Sequence, residues 1–596
     1  MTAHGQLDTP AFTRREGWEK EAFWAAFLYA LEGEQEYLDV ATAWLKHAYG
    51  KDTRFSRRAI EKLKDPQYWA GSEQGVDWYR LDIDAYVAYD WIYKGLSQED
   101  RDYIHEMLRL QTEYRMACMD SWGSTPNLNF KPIFMVAFAA MALQDEHIVD
   151  WGWRRAKRQG SFHSMMDTML KDGGAWREAA IYAVAHSGLY CVNTMAFYRS
   201  LLEERNWSEY KTPSGASARG MTNYFIDTAY PIERTGEGKG RIRVVTYGDG
   251  STSPPHYGGG EHDMFIGGDH PNKTRLLTHM RDGLSMAYAA PGGKRYAPFL
   301  ALYPEYEPNL WDRPPLPEAP EFPPAPSRIF PEFGLAMLRS DESPGYWKNP
   351  DAVAAFMMMT KRYGHQQPDK FHLNLFGANR LLYPDYLRMQ YENRAMGWTY
   401  TSASQNTMLV DELDTGSAEP HIRNDFTPEV KFLAVSASDV FPSVDQTRAL
   451  LLTGDYLLDL FHAYSKTPRT YDYVLHSMGL PRPVSPPKFE TQGNISRKYW
   501  AIDNPRKTTT SDQWSLEFVI NEEKPDEPVP GLGDQWFEHE ANVRVTMAAD
   551  DPTQVCYGTW GDGKYVERAV KVYAFANGPS PVHSENAVKR LSLIHI

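Results

Sequence analysis

Two short stretches hold the side chains best suited to moving protons. The first reads Tyr363, Gly364, His365, Gln366, Gln367, Pro368, Asp369, Lys370 and opens into the alternating run Phe371, Leu373, Leu375. A knot of His, Asp and Lys feeding a period-2 apolar run is the pattern of a sheet that presents chemistry at its edge. The second stretch follows the turn Asp172, Gly173, Gly174 and carries Glu178, Tyr182 and His186 at successive i, i+4 positions. That spacing predicts one helix face bearing an acid, a phenol and an imidazole. Imidazole titrates near neutrality, so His365 suits a general base, while a phenol can donate a proton. Arg177, close to Tyr182 in sequence, suits an anion clamp; pairing with a nearby acid is its other reading.

Further polar groups surround these two. Trp122 to Phe130 interrupts a helical pattern with Asn127 and Asn129, ahead of an apolar helix over 133–143. A loop there sets amide side chains at the end of a helical barrel, where an Asn can meet a ligand or simply cap the helix. Tyr247, Gly248, Asp249, Gly250 leads to His256, a glycine run and His262, a loop able to close over a ligand but without a P-loop Lys. The cluster Ser402, Ala403, Ser404, Gln405, Asn406, Thr407 precedes the strand-like Met408, Leu409, Val410. Two strands are thus expected to bring their polar starts together.

The elements that position these groups separate by pattern. From about residue 15 to 202, apolar residues such as Trp18, Ala22, Phe23 and Ala26, then Ile83, Tyr86, Val87 and Trp91, recur at helical spacing without intervening strands. Ser97 followed by Glu99 and Asp100 reads as a capped helix start. Nine prolines crowd 304–326, and beyond 329 short apolar runs dominate, among them 352–359, 371–376, 449–453, 456–461, 514–520, 543–547 and 570–575. The expectation is an α+β multidomain chain with a helical toroid or solenoid at 1–303, a Pro-rich linker at 304–328 and an antiparallel β-sandwich at 329–596. The final Leu-Ser-Leu-Ile-His-Ile fits no expected element.

At 596 residues the chain exceeds one compact core. Its net charge of −15 argues against nucleic acid and against general attraction to polyanions, so an acidic substrate would need a locally basic site. The 18 Trp, 36 Tyr and 26 Phe suit sugar stacking as well as core packing. Three scattered cysteines suggest neither a disulfide framework nor a thiolate metal site. No window approaches a membrane span, and no apolar h-region follows Met1.

Gly364-His365 with Asp369-Lys370, an apolar strand ending at Asp385, and Asn406-Thr407 before another strand resemble the second-domain signature of the heparinase II/III-like polysaccharide lyases. The resemblance implies an incomplete (α/α) toroid followed by an antiparallel β-sandwich, with β-elimination of uronic-acid polysaccharides in the cleft between them. It also implies Tyr182 as acid, His365 as base and Asn129, with Asn127 second, neutralising the substrate carboxylate. Arg177, Glu178, His186, His256, Gln405 and Asn406 join them as substrate-binding candidates. A structural zinc in the family is held by the strand-end Asp and two histidines, and here Gln367 and Gln405 occupy both histidine positions. Amide oxygens are weak ligands for zinc, so zinc is disfavoured; Asp385 remains a metal candidate, for a hard cation such as Ca²⁺. No other cofactor is implied. The expected partner is an acidic polysaccharide, of glycosaminoglycan type first, with alginate, ulvan or glucuronan as alternatives. Periplasmic or secreted location in a bacterium follows from the resemblance, with the signal peptide absent from this chain. Two rivals remain: a glycoside hydrolase using Asp82, Asp84 and Glu178, and a non-catalytic glycan-binding protein.

Overall fold

The computed structural model describes residues 18–48, 83–121, 126–154, 162–178, 210–235, 239–242, 244–245, 247–248, 265–266, 323–385, 396–478, 480–485, 488–520, 541–548, 552–560, 572–577 and 587–595. The chain divides into two units. One comprises residues 1–170, 186–218 and 286–313, and the other 171–185, 219–285 and 314–596. The expected single cut at the proline-rich stretch therefore gives way to interleaved segments, since 171–185 and 219–285 belong with the C-terminal sheets.

The first unit is helical in its described residues, with Trp18–Glu32, Gln35–Ala48, Ile83–Ile92, Gln98–Ser121, Pro126–Leu143 and Phe162–Met169 as its main helices. Small residues fully buried on several of them, such as Ala26, Ala41, Ala85, Ala88 and Ala137, let helix backbones approach closely. Ser97 starts the 98–121 helix as expected: its Oγ accepts from the Asp100 N–H at 3.1 Å and donates back to the Asp100 carboxylate at 2.8 Å. The next helix begins at Pro126, seven residues before the expected start, with its proline in the first turn where no intrahelical N–H is needed.

The second unit carries antiparallel sheets. A five-stranded sheet runs in the order Arg380–Tyr383, Leu373–Gly377, Ala354–Met358, Leu335–Arg339, Arg328–Phe330. Its first pair is joined by Ala378 and Asn379, both at positive φ, the backbone of a tight hairpin whose twist matches the strands. Alternate residues Ala336, Leu338, Ala355, Met357, Leu373 and Leu375 share one apolar cluster with Leu433, Val435, Leu450, Leu457, Leu516, Phe518 and Val543 of an eight-stranded sheet. The other residues of the same strands are buried too. Phe376 stacks on Tyr230 at 5.3 Å, Phe356 stacks on Tyr247 at 6.0 Å, and Arg339 donates to the carbonyls of Asp227 at 2.7 Å and Ala229 at 2.9 Å. This explains the nearly unbroken apolar text of 352–359. The sheet is covered on both faces, one by strands and one by residues such as Asp227, Ala229, Tyr230 and Tyr247.

The C-terminal run that fitted no expected element is a strand. Ala587–His595 lies inside the eight-stranded sheet, between Tyr456–Ser465 and Ala541–Ala548.

Candidate functional site

His365 stands on a bend whose backbone is held from two sides. Glu178 forms an isolated parallel bridge with Gly364, and the Gly364 N–H donates to the Arg177 carbonyl at 2.9 Å. A Cβ on Gly364 would meet Glu178 Cγ at 2.9 Å, so glycine is what lets the two strands close. The His365 side chain, 30% exposed, places Nε2 3.5 Å from Glu178 Oε1, and the second oxygen of that carboxylate accepts from Trp176 Nε1–H at 3.2 Å. Glu178 is only 2% exposed. The expected helical face of Glu178, Tyr182 and His186 therefore fails at its first member. Glu178 lies on extended backbone, where period 2 rather than 3.6 puts it on the same side as Trp176. Its carboxylate faces His365 across that 3.5 Å contact.

Beneath His365 lies a closed polar knot. Asp369 and Lys370 pair at 2.9 Å as the sequence suggested, both essentially inaccessible. The other Asp369 oxygen takes the Tyr363 hydroxyl and the Gly248 N–H, the latter at 3.3 Å. Lys370 Nζ also sits 4.3 Å over the Tyr363 ring, and burial pulls its ammonium below the usual lysine range against the opposing pull of Asp369. Tyr247 supplies the rest: its hydroxyl meets that of Tyr224 at 2.6 Å and reaches the Glu178 carbonyl at 3.5 Å. Gly248, at φ +62°, packs so tightly that a Cβ would stand 2.5 Å from the His365 carbonyl. His365 itself has φ +54°, an uncommon left-handed backbone for a residue with a side chain.

The polar starts of the two strands do converge, but inward. Gln405 Nε2 donates to Gln367 Oε1 at 3.1 Å, and both residues are fully buried. Burial first, and the charge of Asp369 second, push the Asp385 carboxyl well above the usual carboxylate range, while the Gln405 amide beside it pulls the other way. Gln367 Oε1 already accepts a hydrogen bond, and amide oxygens are weak ligands for zinc. Among the described residues no three His, Cys, Asp or Glu side chains group as metal ligands. Asn406 is likewise interior, its amide donating to the carbonyls of Leu373 at 2.8 Å and Pro384 at 3.2 Å and its oxygen accepting from the His476 N–H at 2.5 Å. Gln405 and Asn406, expected to touch substrate, instead fasten the strands. Arg448 finishes the fastening by donating to the carbonyls of Phe371 and Asn406 while gripping Asp459 with two nitrogens.

The remaining candidates are less fully placed. Asn127 and Asn129 fall in the first turn of the helix Pro126–Leu143 rather than in a loop. Arg177 is exposed beside the Glu178 bridge. Tyr182, His186, His256 and His262 lie outside the described residues. Two contributors escaped the sequence reading. Trp176 was detectable from its i, i+2 spacing to Glu178 once that segment is taken as a strand; Tyr224 has no local signal that links it to Tyr247.

No family model matches the chain, and no curated protein matches it in sequence. Among solved structures it is similar to heparan sulfate lyase HepC from Pedobacter heparinus, with TM-score 0.57 and 12% identity over 99% of this chain and 77% of that one. The fold resembles that of a polysaccharide lyase. A heparinase III structure gives TM-score 0.53 and 12% identity over 99% of this chain and 80% of that one. Another heparinase III gives 0.50 and 11% over 97% and 76%. At these identities the likeness is one of fold. Among the described residues no helix is long and apolar enough to cross a membrane.

Proposed function

We propose that the chain is a polysaccharide lyase that cleaves a uronic-acid polysaccharide, of glycosaminoglycan type first, by β-elimination. The toroid-plus-sandwich arrangement belongs to the same proposal. One observation carries it: His365 is the partly exposed imidazole on an otherwise closed knot, held by a buried carboxylate and a strained bend. A site of this kind spends fold stability on aiming one base. Asn129 neutralises the C6 carboxylate of the sugar, which acidifies the C5 proton. His365 takes that proton, the C5–H electron pair becomes the C4–C5 double bond, and the C4–O4 bond breaks. The departing O4 receives a proton from Tyr182, so no water is added. On a glucuronate, where proton and leaving group share a side, Tyr182 serves both steps; an iduronate needs His365.

The test is a panel of heparan, chondroitin, alginate, ulvan and glucuronan substrates followed by ultraviolet absorbance of a 4,5-unsaturated uronate. The reading expects that absorbance with at least one of them. Reducing ends appearing without it would move the protein to the hydrolases.

A further inference from the structure

The geometry points to Glu178 and Trp176 as positioning residues that fix which ring nitrogen of His365 is the base. A carboxylate has no proton to give, so the favourable neutral arrangement across the 3.5 Å contact puts the proton on Nε2, facing Glu178 Oε1. Nδ1 then keeps the lone pair and takes the proton. When His365 becomes an imidazolium, its Nε2–H already faces a negative charge shielded from water, since Glu178 is 2% exposed. Trp176 decides how firmly this holds. Its indole N–H is donor only and points at Glu178 Oε2 at 3.2 Å, so that end of the side chain must be an acceptor. The other titratable groups around the bend, Asp369, Lys370 and Tyr363, are engaged with one another below it. Arg177 is exposed beside it.

This arrangement makes a sharp statement about Glu178→Gln. Trp176 demands the amide oxygen, which turns the NH₂ toward His365. Nε2 must then accept, the proton moves to Nδ1, and the tautomer inverts. A conventional structural role for Glu178 predicts no such inversion. Adding Trp176→Phe removes the demand for the oxygen, lets the amide turn over and returns the proton to Nε2.

The inference shares His365 with the proposed lyase activity, but its deciding readout is taken on the free protein. Nitrogen-15 spectra of histidine-labelled full chain, with His365 assigned through His365→Gln, report which ring nitrogen is protonated at a pH where the ring is neutral. Expected are Nε2–H in the wild type, Nδ1–H in Glu178→Gln and Nε2–H again in the double variant. Wild-type Nδ1–H, or an unchanged tautomer in Glu178→Gln, overturns the assignment. Should Glu178→Gln fail to fold, Trp176→Phe alone must keep Nε2–H, and its loss overturns the assignment equally. With a cleaved substrate in hand, Glu178→Gln is expected to lose kcat with KM within about threefold; a wrong tautomer at an orienting carboxylate elsewhere costs about 10⁴-fold. The double variant regains part of that loss. If no polysaccharide is cleaved and the tautomer inverts, the activity is refuted and the positioning role stands.

Discussion

At the scale of single residues, proton transfer is proposed for Tyr182 and His365, and the aim of His365 for Glu178 and Trp176. Tyr182→Phe deletes one hydroxyl and is expected to lower kcat by about 10²- to 10⁴-fold with the fold retained, read as the rate of unsaturated product. His365→Ala should cost a similar factor on iduronate linkages and less on glucuronate ones; equal loss on both would contradict a double role for Tyr182. Gly248→Ala tests the bend from below. The added methyl meets the His365 carbonyl at 2.5 Å on a backbone at φ +62°. A destabilisation of about 1–3 kcal/mol in urea unfolding is expected, together with lost activity. His365 and the Asp369–Lys370 pair were legible because a polar knot opening an apolar strand is a strong local pattern. Glu178 was found for the wrong reason: i, i+4 spacing suggested a helix face, whereas its partner is reached through a bridge to Gly364, 186 positions along the chain, which no local period encodes.

At the scale of elements, strands with clean alternation were the most legible. The run 514–520 forms the strand Trp514–Ile520 as expected, and 456–461 is the first part of Tyr456–Ser465. The helix before Leu143 was shortened by treating Asn127 and Asn129 as loop residues, although Pro126 permits the helix to start there. The interleaving of 171–185 and 219–285 with the sheets was not legible, since it depends on aromatic contacts such as Tyr230 on Phe376 that join distant segments. The Gln367–Gln405 contact carries a prediction of its own. Purified protein is expected to hold zinc well below one ion per chain, and a chelator should leave activity intact. Stoichiometric zinc by elemental analysis would refute the fit argued from these amides.

At the scale of the whole molecule, buried titratable groups shape stability against pH. Burial pushes His372 and His476 each down to about 3, so between pH 3 and about 6.5 the unfolded chain binds more protons than the folded one and stability rises with pH. Burial pushes Asp472 up to about 7 despite the Tyr499 hydroxyl at 2.9 Å, so from about pH 4 to 7 the folded chain binds the extra proton and stability falls as pH rises. In urea unfolding, Asp472→Asn should gain on the wild type more at pH 8 than at pH 5. A variant that gains equally at both would refute the shift. The central claim concerns chemistry at His365, and the most direct measurement is the absorbance of a 4,5-unsaturated uronate during incubation with heparan sulfate and the rest of the panel. The account predicts that this chromophore appears in step with chain cleavage and without incorporation of oxygen from labelled water. New reducing ends that carry solvent oxygen and no chromophore would contradict it.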